Sequence, residues 1–262
     1  MVKTIYVDSF EDYVNHINEI IADWQYESGY VWYRGVSRKS YRLIPRILRT
    51  PDLPDEDTLV QEFLINYRAI HGERVDDAWE MYALMQHYGL PTRLLDWTKS
   101  PLIGLYFALE EDCSSTDRVV WVMDPSRFNE VTNDESGVIV PKDLPHITPR
   151  ILRFSAYLPV SMRLGTGSNP VPNKPLAIEP PLSNRRILYQ QGCFTVHGLD
   201  RKAIDAYFRE VNSDRIIRLV VKGLQRRRDF LDTLHNLGFK EEYVYQDLPS
   251  LTRRVVREAE GN

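Results

Sequence analysis

Cysteine is scarce: the chain of 262 residues has two, Cys113 and Cys193, far apart and with no second cysteine or histidine at metal-ligand spacing. That excludes a disulfide scaffold and a zinc site, predicts no bound metal, and fits a reducing, cytoplasmic setting. Long apolar runs are also missing. No stretch approaches the roughly 20 apolar residues of a membrane span, and the opening meets Asp8, Glu11 and Asp12 before any run of signal-peptide length, so neither secretion nor a membrane partner is expected. Positive charge is not in excess: 33 Lys plus Arg stand against 37 Asp plus Glu, a net charge of -4. A chain built wholly to coat nucleic acid is thereby excluded, although local basic patches are not. The sequence has no glycine-rich phosphate loop, no Gly-x-Ser-x-Gly elbow, no His-x-x-x-His and no paired-carboxylate cluster, which removes P-loop, serine-hydrolase and metallohydrolase chemistry from the candidates. Repeats and low-complexity tracts are absent. What is present is 43% hydrophobic residues, enough to bury one sizeable core and to exclude a disordered chain.

The charge is unevenly placed. Residues 1–29 carry Asp8, Glu11, Asp12, Glu19, Asp23 and Glu27 against Lys3, and Phe10, Tyr13, Ile17, Ile20, Ile21 and Trp24 follow helical spacing; the segment reads as an amphipathic helical lead-in. From Tyr30 to Arg49 the sign inverts, with Arg34, Arg38, Lys39, Arg42, Arg46 and Arg49 and no acid, behind an aromatic strand beginning Tyr30-Val31-Trp32-Tyr33. Two helices follow over 55–71 and 76–88, stopped by Gly72 and Gly89. Pro91 to Ser100 reads as a loop, because Pro91 disfavours helix at Leu90 and Ser100-Pro101 looks like a cap with proline in the first turn. The helix from Pro101 to Glu111 is apolar nearly all round, hence central. Val119–Met123, Cys193–His197 and Ile216–Val221 read as strands, and two helices close the chain, near Leu224–Leu237 and Pro249–Glu258. Residues 125–185 hold most of the sixteen prolines with little periodicity and read as irregular cover or an insertion. The expectation is one α+β domain over 1–262, with a mixed or antiparallel central sheet packed by helices.

Three constellations carry the candidate chemistry: Trp32-Tyr33-Arg34-Gly35, the run Gln86-His87-Tyr88-Gly89-Leu90-Pro91-Thr92-Arg93-Leu94-Leu95-Asp96-Trp97-Thr98 leading into Ser100-Pro101, and Gln190-Gln191-Gly192-Cys193-Phe194-Thr195. In these residues the sequence resembles the FRG domain family, named for a Phe-Arg-Gly triplet that is here Tyr33-Arg34-Gly35. The likeness spans roughly 24 to 200, with a family-like tail at Leu248-Pro249-Ser250-Leu251; the long middle run makes it specific. FRG domains occur mostly in bacterial and phage proteins, and a link to ADP-ribosyltransferase-like folds has been proposed. That resemblance implies an NAD site in which Arg34 holds phosphate or ribose, a hydroxyl residue drawn from Thr92, Thr98 or Ser100 sits on a middle element, and Gln191 stands where those folds place a glutamate. It also implies a toxin or antiviral effector.

The residue types themselves suggest an anion site. A guanidinium makes bidentate contacts to phosphate, so Arg34 and Arg93 are candidates to clamp a diphosphate, with Gly35 allowing close backbone approach. His87, in the last turn of its helix, is a candidate third positive group near neutral pH. Asp96 is a candidate base, and Tyr33, Tyr88, Thr92 and Trp97 complete the candidate ligand contacts. Each has a structural alternative: Arg34 tied to Asp96, Arg93 paired with Asp96, His87 or Ser100 as helix-end caps, Trp97 and Tyr88 as core anchors, Gln191 as a satisfied strand-end amide. Two functions compete. One is an NAD-binding transferase passing ADP-ribose to an unidentified protein, nucleic-acid or small-molecule acceptor; the other is an RNA- or nucleotide-binding module without catalysis, using Arg34–Arg49 and Arg226-Arg227-Arg228. Metal-independent nucleic-acid cleavage with His87 as base ranks below both, because no second histidine lies nearby in sequence.

Overall fold

A computed structural model describes residues 2–25, 30–111, 117–141, 153–163, 169–179 and 185–260. Cys113 and the glutamate Glu27 lie outside the described residues. The helical lead-in is present as α1 (Phe10–Trp24), capped by Ser9 and burying Tyr13, Ile17, Ile20 and Trp24. It is preceded by a strand the sequence reading does not anticipate, β1 (Lys3–Val7). The aromatic strand begins later and runs further than its composition suggests: β2 spans Trp32–Val36, so Arg34 and Gly35 lie within it.

A one-turn helix α2 (Arg46–Arg49) precedes α3 (Glu56–His71), capped by Asp55, and α4 (Ala78–His87), capped by Asp77. The expected loop from Pro91 to Ser100 is corrected by the structure. Leu94–Thr98 is strand β3, with every residue buried except Asp96. A strand this short between two prolines shows no readable period; its apolar residues are buried on both faces, and that burial makes it a strand. Ser100 caps α5 (Pro101–Leu109), as its position before proline predicts. Strand β4 (Arg118–Met123) is fully buried.

Within the proline-rich stretch, helix α6 (Pro125–Asn133) and strand β5 (Leu176–Ile178) belong to the body of the fold. Then come α7 (Arg185–Tyr189), β6 (Gly192–Val196), α8 (Ile204–Glu210), β7 (Ile216–Val221), α9 (Leu224–Asn236), α10 (Glu241–Tyr245) and α11 (Leu248–Ala259).

The strands form one sheet of order β1-β7-β4-β2-β3-β6-β5. Among the described strands only the β1–β7 pairing is parallel, so the fold is α+β with a mixed seven-stranded sheet. Side chains alternate across it. On one face Tyr33, Val120, Val122 and Leu219 meet α1, α5 and α9, while Leu94, Phe194 and Val196 meet α3 and α4. On the other, Trp32, Trp97, Trp121 and Val220 pack with Phe128 of α6 and Phe208 of α8. No helix among the described residues is long and apolar enough to cross a membrane.

One local feature positions everything that follows. Strand β2 pairs with β4 along its whole length, and β3 with β6 likewise, but β2 and β3 share a single pair, Tyr33 with Thr98. Beyond that pair they splay, and the sheet opens at its middle.

Candidate functional site

A cavity of about 360 Å³ fills the splay. Strand β2 contributes Tyr33, Arg34 and Gly35, β3 contributes Asp96, Trp97 and Thr98, α4 contributes Gln86 and His87, and α7 with its next residue contributes Arg186 and Gln190. Tyr41, Arg42 and Arg49 close it from the basic stretch.

Because β3 is unpaired on this side, its backbone carbonyls need donors. Arg34 supplies one, donating from Nη1 to the Asp96 carbonyl oxygen at 2.5 Å and lying 3.6 Å from the Asp96 carboxylate. Burial lowers the Arg34 pKa, with Asp96 opposing the shift and Arg49 adding to it. Asp96 lines the cavity, and its side chain is 54% exposed and not used up by this pairing. Gln86 Nε2 donates to both of its oxygens at 3.2 and 3.1 Å. Gln86 is itself oriented: its Oε1 accepts from Thr92 Oγ1 at 2.6 Å, which points the amide nitrogen at the carboxylate. Thr92 is therefore one step removed from the cavity.

His87 lines the cavity, and its pKa is lowered below the ordinary imidazole value, which works against the expected third positive charge. Burial lowers its pKa first and Arg186 second, outweighing Asp247 and Asp96. The helix dipole favours the cation, but less than desolvation disfavours it.

Arg93 does not join Arg34. It is buried, with Nε 2.5 Å from Glu56, Nη1 donating to the His197 carbonyl and Nη2 to the Tyr157 carbonyl. It ties the start of α3 to β3, the end of β6 and residue 157, so the diphosphate clamp of Arg34 with Arg93 is corrected, as is a pair between Arg93 and Asp96. Although burial alone would lower its pKa, Tyr82 and Glu56 raise it. Gln191 also lies outside the cavity: it is exposed, in a left-handed conformation with φ 48°, and its carbonyl accepts from Lys99. Its neighbour Gln190 faces inward, with Nε2 donating to Val244.

Tyr88 points to solvent at 61% exposure, neither wall nor core anchor. Trp97 does both, buried with Nε1 donating to Thr195 and also a residue of the cavity lining. Among the hydroxyls, Thr98 lines the cavity and donates to the Gln190 carbonyl, whereas Ser100 serves α5 as its cap. Gly35 allows close approach, but of protein: a Cβ there would lie 2.0 Å from the Gly104 carbonyl oxygen and 2.4 Å from the Ala108 nitrogen. It lets α5 lie directly on β2.

Arg42, Arg49, Arg186 and Gln190 are site residues the sequence reading does not select. The run from Arg38 to Arg49 was a signal for two of them; nothing local distinguishes Arg186, which reaches the cavity from more than 130 positions away and stacks 4.6 Å from the Tyr245 ring centre. Four arginines and one aspartate thus line the cavity. The Arg226-Arg227-Arg228 run is partly consumed by structure: Arg226 pairs with Asp8 at 2.7 Å, and Arg227 donates to the Leu109 and Glu110 carbonyls at the end of α5.

Residues 29–117 match the FRG domain family. The chain carries an FRG domain. That stretch brings β2, the basic segment, α4, β3 and α5 to the cavity, and Arg186, Gln190 and the β6 wall come from beyond it. No curated protein and no solved structure matches the chain.

Proposed function

We propose that the cavity binds NAD through its pyrophosphate and that the chain transfers ADP-ribose from it to an acceptor. The observation that carries this reading is the convergence of Arg34, Arg42, Arg49 and Arg186 on a cavity whose facing carboxylate is Asp96. Paired guanidinium groups suit the two phosphates. Aromatic walls at Trp97, Tyr33 and Phe107 suit flat rings.

Cleavage of the nicotinamide–ribose bond builds positive charge at the ribose, and a carboxylate fixed beside it stabilises that charge. Asp96 takes the role that the family likeness suggested for Gln191, which lies outside the cavity and as an amide has no negative charge to offer. Its two hydrogen bonds from Gln86 hold it in place. The neutral imidazole of His87 is able to accept the proton that an acceptor loses on attack.

Incubation with NAD and detection of free nicotinamide tests the reading. Release by the wild type, retained NAD binding and at least tenfold slower release in Asp96→Asn are expected. NAD binding without release by either protein would reduce the site to a binding module.

A further inference from the structure

The stretch that closes the cavity extends outward as a basic arm. Residues 38–49 carry Arg38, Lys39, Arg42, Arg46 and Arg49 without an acid. Lys39 lies 3.6 Å from Asp117. Among the described residues, no carboxylate lies within ion-pairing distance of Arg38, Arg42, Arg46 or Arg49, all of which are exposed. Elsewhere the surface arginines are largely spoken for: Arg253, Arg254 and Arg257 pair with Glu241, Glu242 and Glu258, and Arg226 with Asp8. Four arginines without an ion pair among the described residues, in a chain of net charge -4, make a local field that attracts a polyanion.

The arm is fixed, not a free tail. Leu43, Ile44 and Pro45 are buried in its middle, and the Leu43 carbonyl accepts from Ile204 at 3.1 Å. Arg46 and Arg49 share a face of α2 at three-residue spacing. Arg42 and Arg49 border the cavity, whereas Arg38 and Arg46 do not, so the charge leads from the outside to the reacting centre. Tyr41 stands at that boundary, partly exposed, lining the cavity, with Arg38 5.9 Å from its ring centre. An aromatic ring set among arginines of one segment is what an unpaired base stacks on, while the arginines take the flanking phosphates.

We infer that the acceptor is a single-stranded nucleic acid, its backbone laid along Arg38, Arg42 and Arg46 and one base placed at the cavity mouth against Tyr41. This rests on the transferase reading above. The bond between nicotinamide nitrogen and ribose C1′ breaks, its electron pair leaving with neutral nicotinamide. A nucleobase nitrogen or strand hydroxyl donates a lone pair to C1′, and His87 accepts the proton it loses.

The test uses the full chain, a fluorescent single-stranded oligonucleotide of about ten residues in RNA and DNA forms, and anisotropy measured across a salt series. NAD affinity is measured by calorimetry on the same proteins. The comparison is wild type against Arg38→Gln/Arg46→Gln, both substitutions being exposed and outside the cavity. Binding of either strand by the wild type is expected, with NAD affinity unchanged in the variant. Losing two phosphate contacts should lower the slope of log affinity against log salt by about 1.4.

An unchanged slope, or NAD binding without oligonucleotide binding, overturns the inference. So does a peptide of equal negative charge that competes as well as the oligonucleotide, or a duplex that competes as well as the single strand. Arm-dependent oligonucleotide binding without NAD binding retires the transferase reading and leaves the strand site standing.

Discussion

Arg34 and Arg93 have opposite duties, and substituting each by alanine separates them. Arg93 and Glu56 are a buried pair, their side chains 9% and 10% exposed. Removing Arg93 leaves a carboxylate without its counter-charge and leaves the His197 and Tyr157 carbonyls without their donor. Breaking such a pair costs about 3 to 5 kcal/mol. For a chain of this size each kcal/mol lowers the melting temperature by about 2–4 °C, so a fall of roughly 6–20 °C is expected for Arg93→Ala. Arg34→Ala removes one hydrogen bond to the Asp96 carbonyl and frees an already exposed carboxylate. That costs about 1 kcal/mol and a few degrees, while NAD binding is lost. Calorimetric melting of the two variants, with NAD titration of Arg34→Ala, reads both effects. The double variant Arg93→Met/Glu56→Leu should recover much of the loss, because an apolar pair removes the stranded charge. A larger fall for Arg34→Ala than for Arg93→Ala would refute the division of roles.

Three further outcomes follow from the geometry. The His87 imidazole, followed by NMR, should titrate below its ordinary 6.5, and Arg186→Gln should move the midpoint up because a facing positive charge is removed; an upward-shifted wild-type midpoint contradicts the neutral-base role. His197 is fully buried, with no partner for Nδ1 among the described residues and its pKa lowered to about 4, mainly by burial; its neutral form favours folding above pH 6.5, and about 3 kcal/mol of that is lost as pH falls from 6.5 towards 4. Melting temperatures should therefore fall more steeply on acidification in the wild type than in His197→Asn. Gly35→Ala forces a Cβ into the α5 backbone and should cost at least the 1–3 kcal/mol typical of overpacking, seen as a lowered melting temperature or lost soluble expression.

The parts of the fold legible in the sequence are those with a local cause. Helix α1 announces itself by its apolar spacing, α5 by Ser100-Pro101, and β4 and β7 by continuous apolar runs that are buried throughout or nearly so. Strand β3 was hidden because its one exposed residue, Asp96, breaks an otherwise buried run, and its polar neighbours Thr92, Arg93 and Thr98 are buried with hydrogen-bond partners, those of Arg93 and Thr98 far away in sequence. Asp96, Arg34 and His87 were legible as site candidates because three short constellations concentrate unusual residue types. Arg93 and Gln191 carry the same residue chemistry, yet one is absorbed by Glu56 and the other turned outward at a left-handed position, which no local pattern reveals. Arg186 and Arg49 reach the cavity only because α7 and the basic arm fold over the splay between β2 and β3.

Calorimetric titration of NAD into the wild type and into Arg49→Gln tests the central claim most directly, because Arg49 lines the cavity, is exposed and has no ion pair among the described residues whose loss would unfold the chain. Saturable one-to-one binding by the wild type and at least tenfold weaker binding by the variant are expected, with both melting at the same temperature. Absence of binding by a wild type that melts cooperatively, or equal affinity in the two proteins, would contradict it.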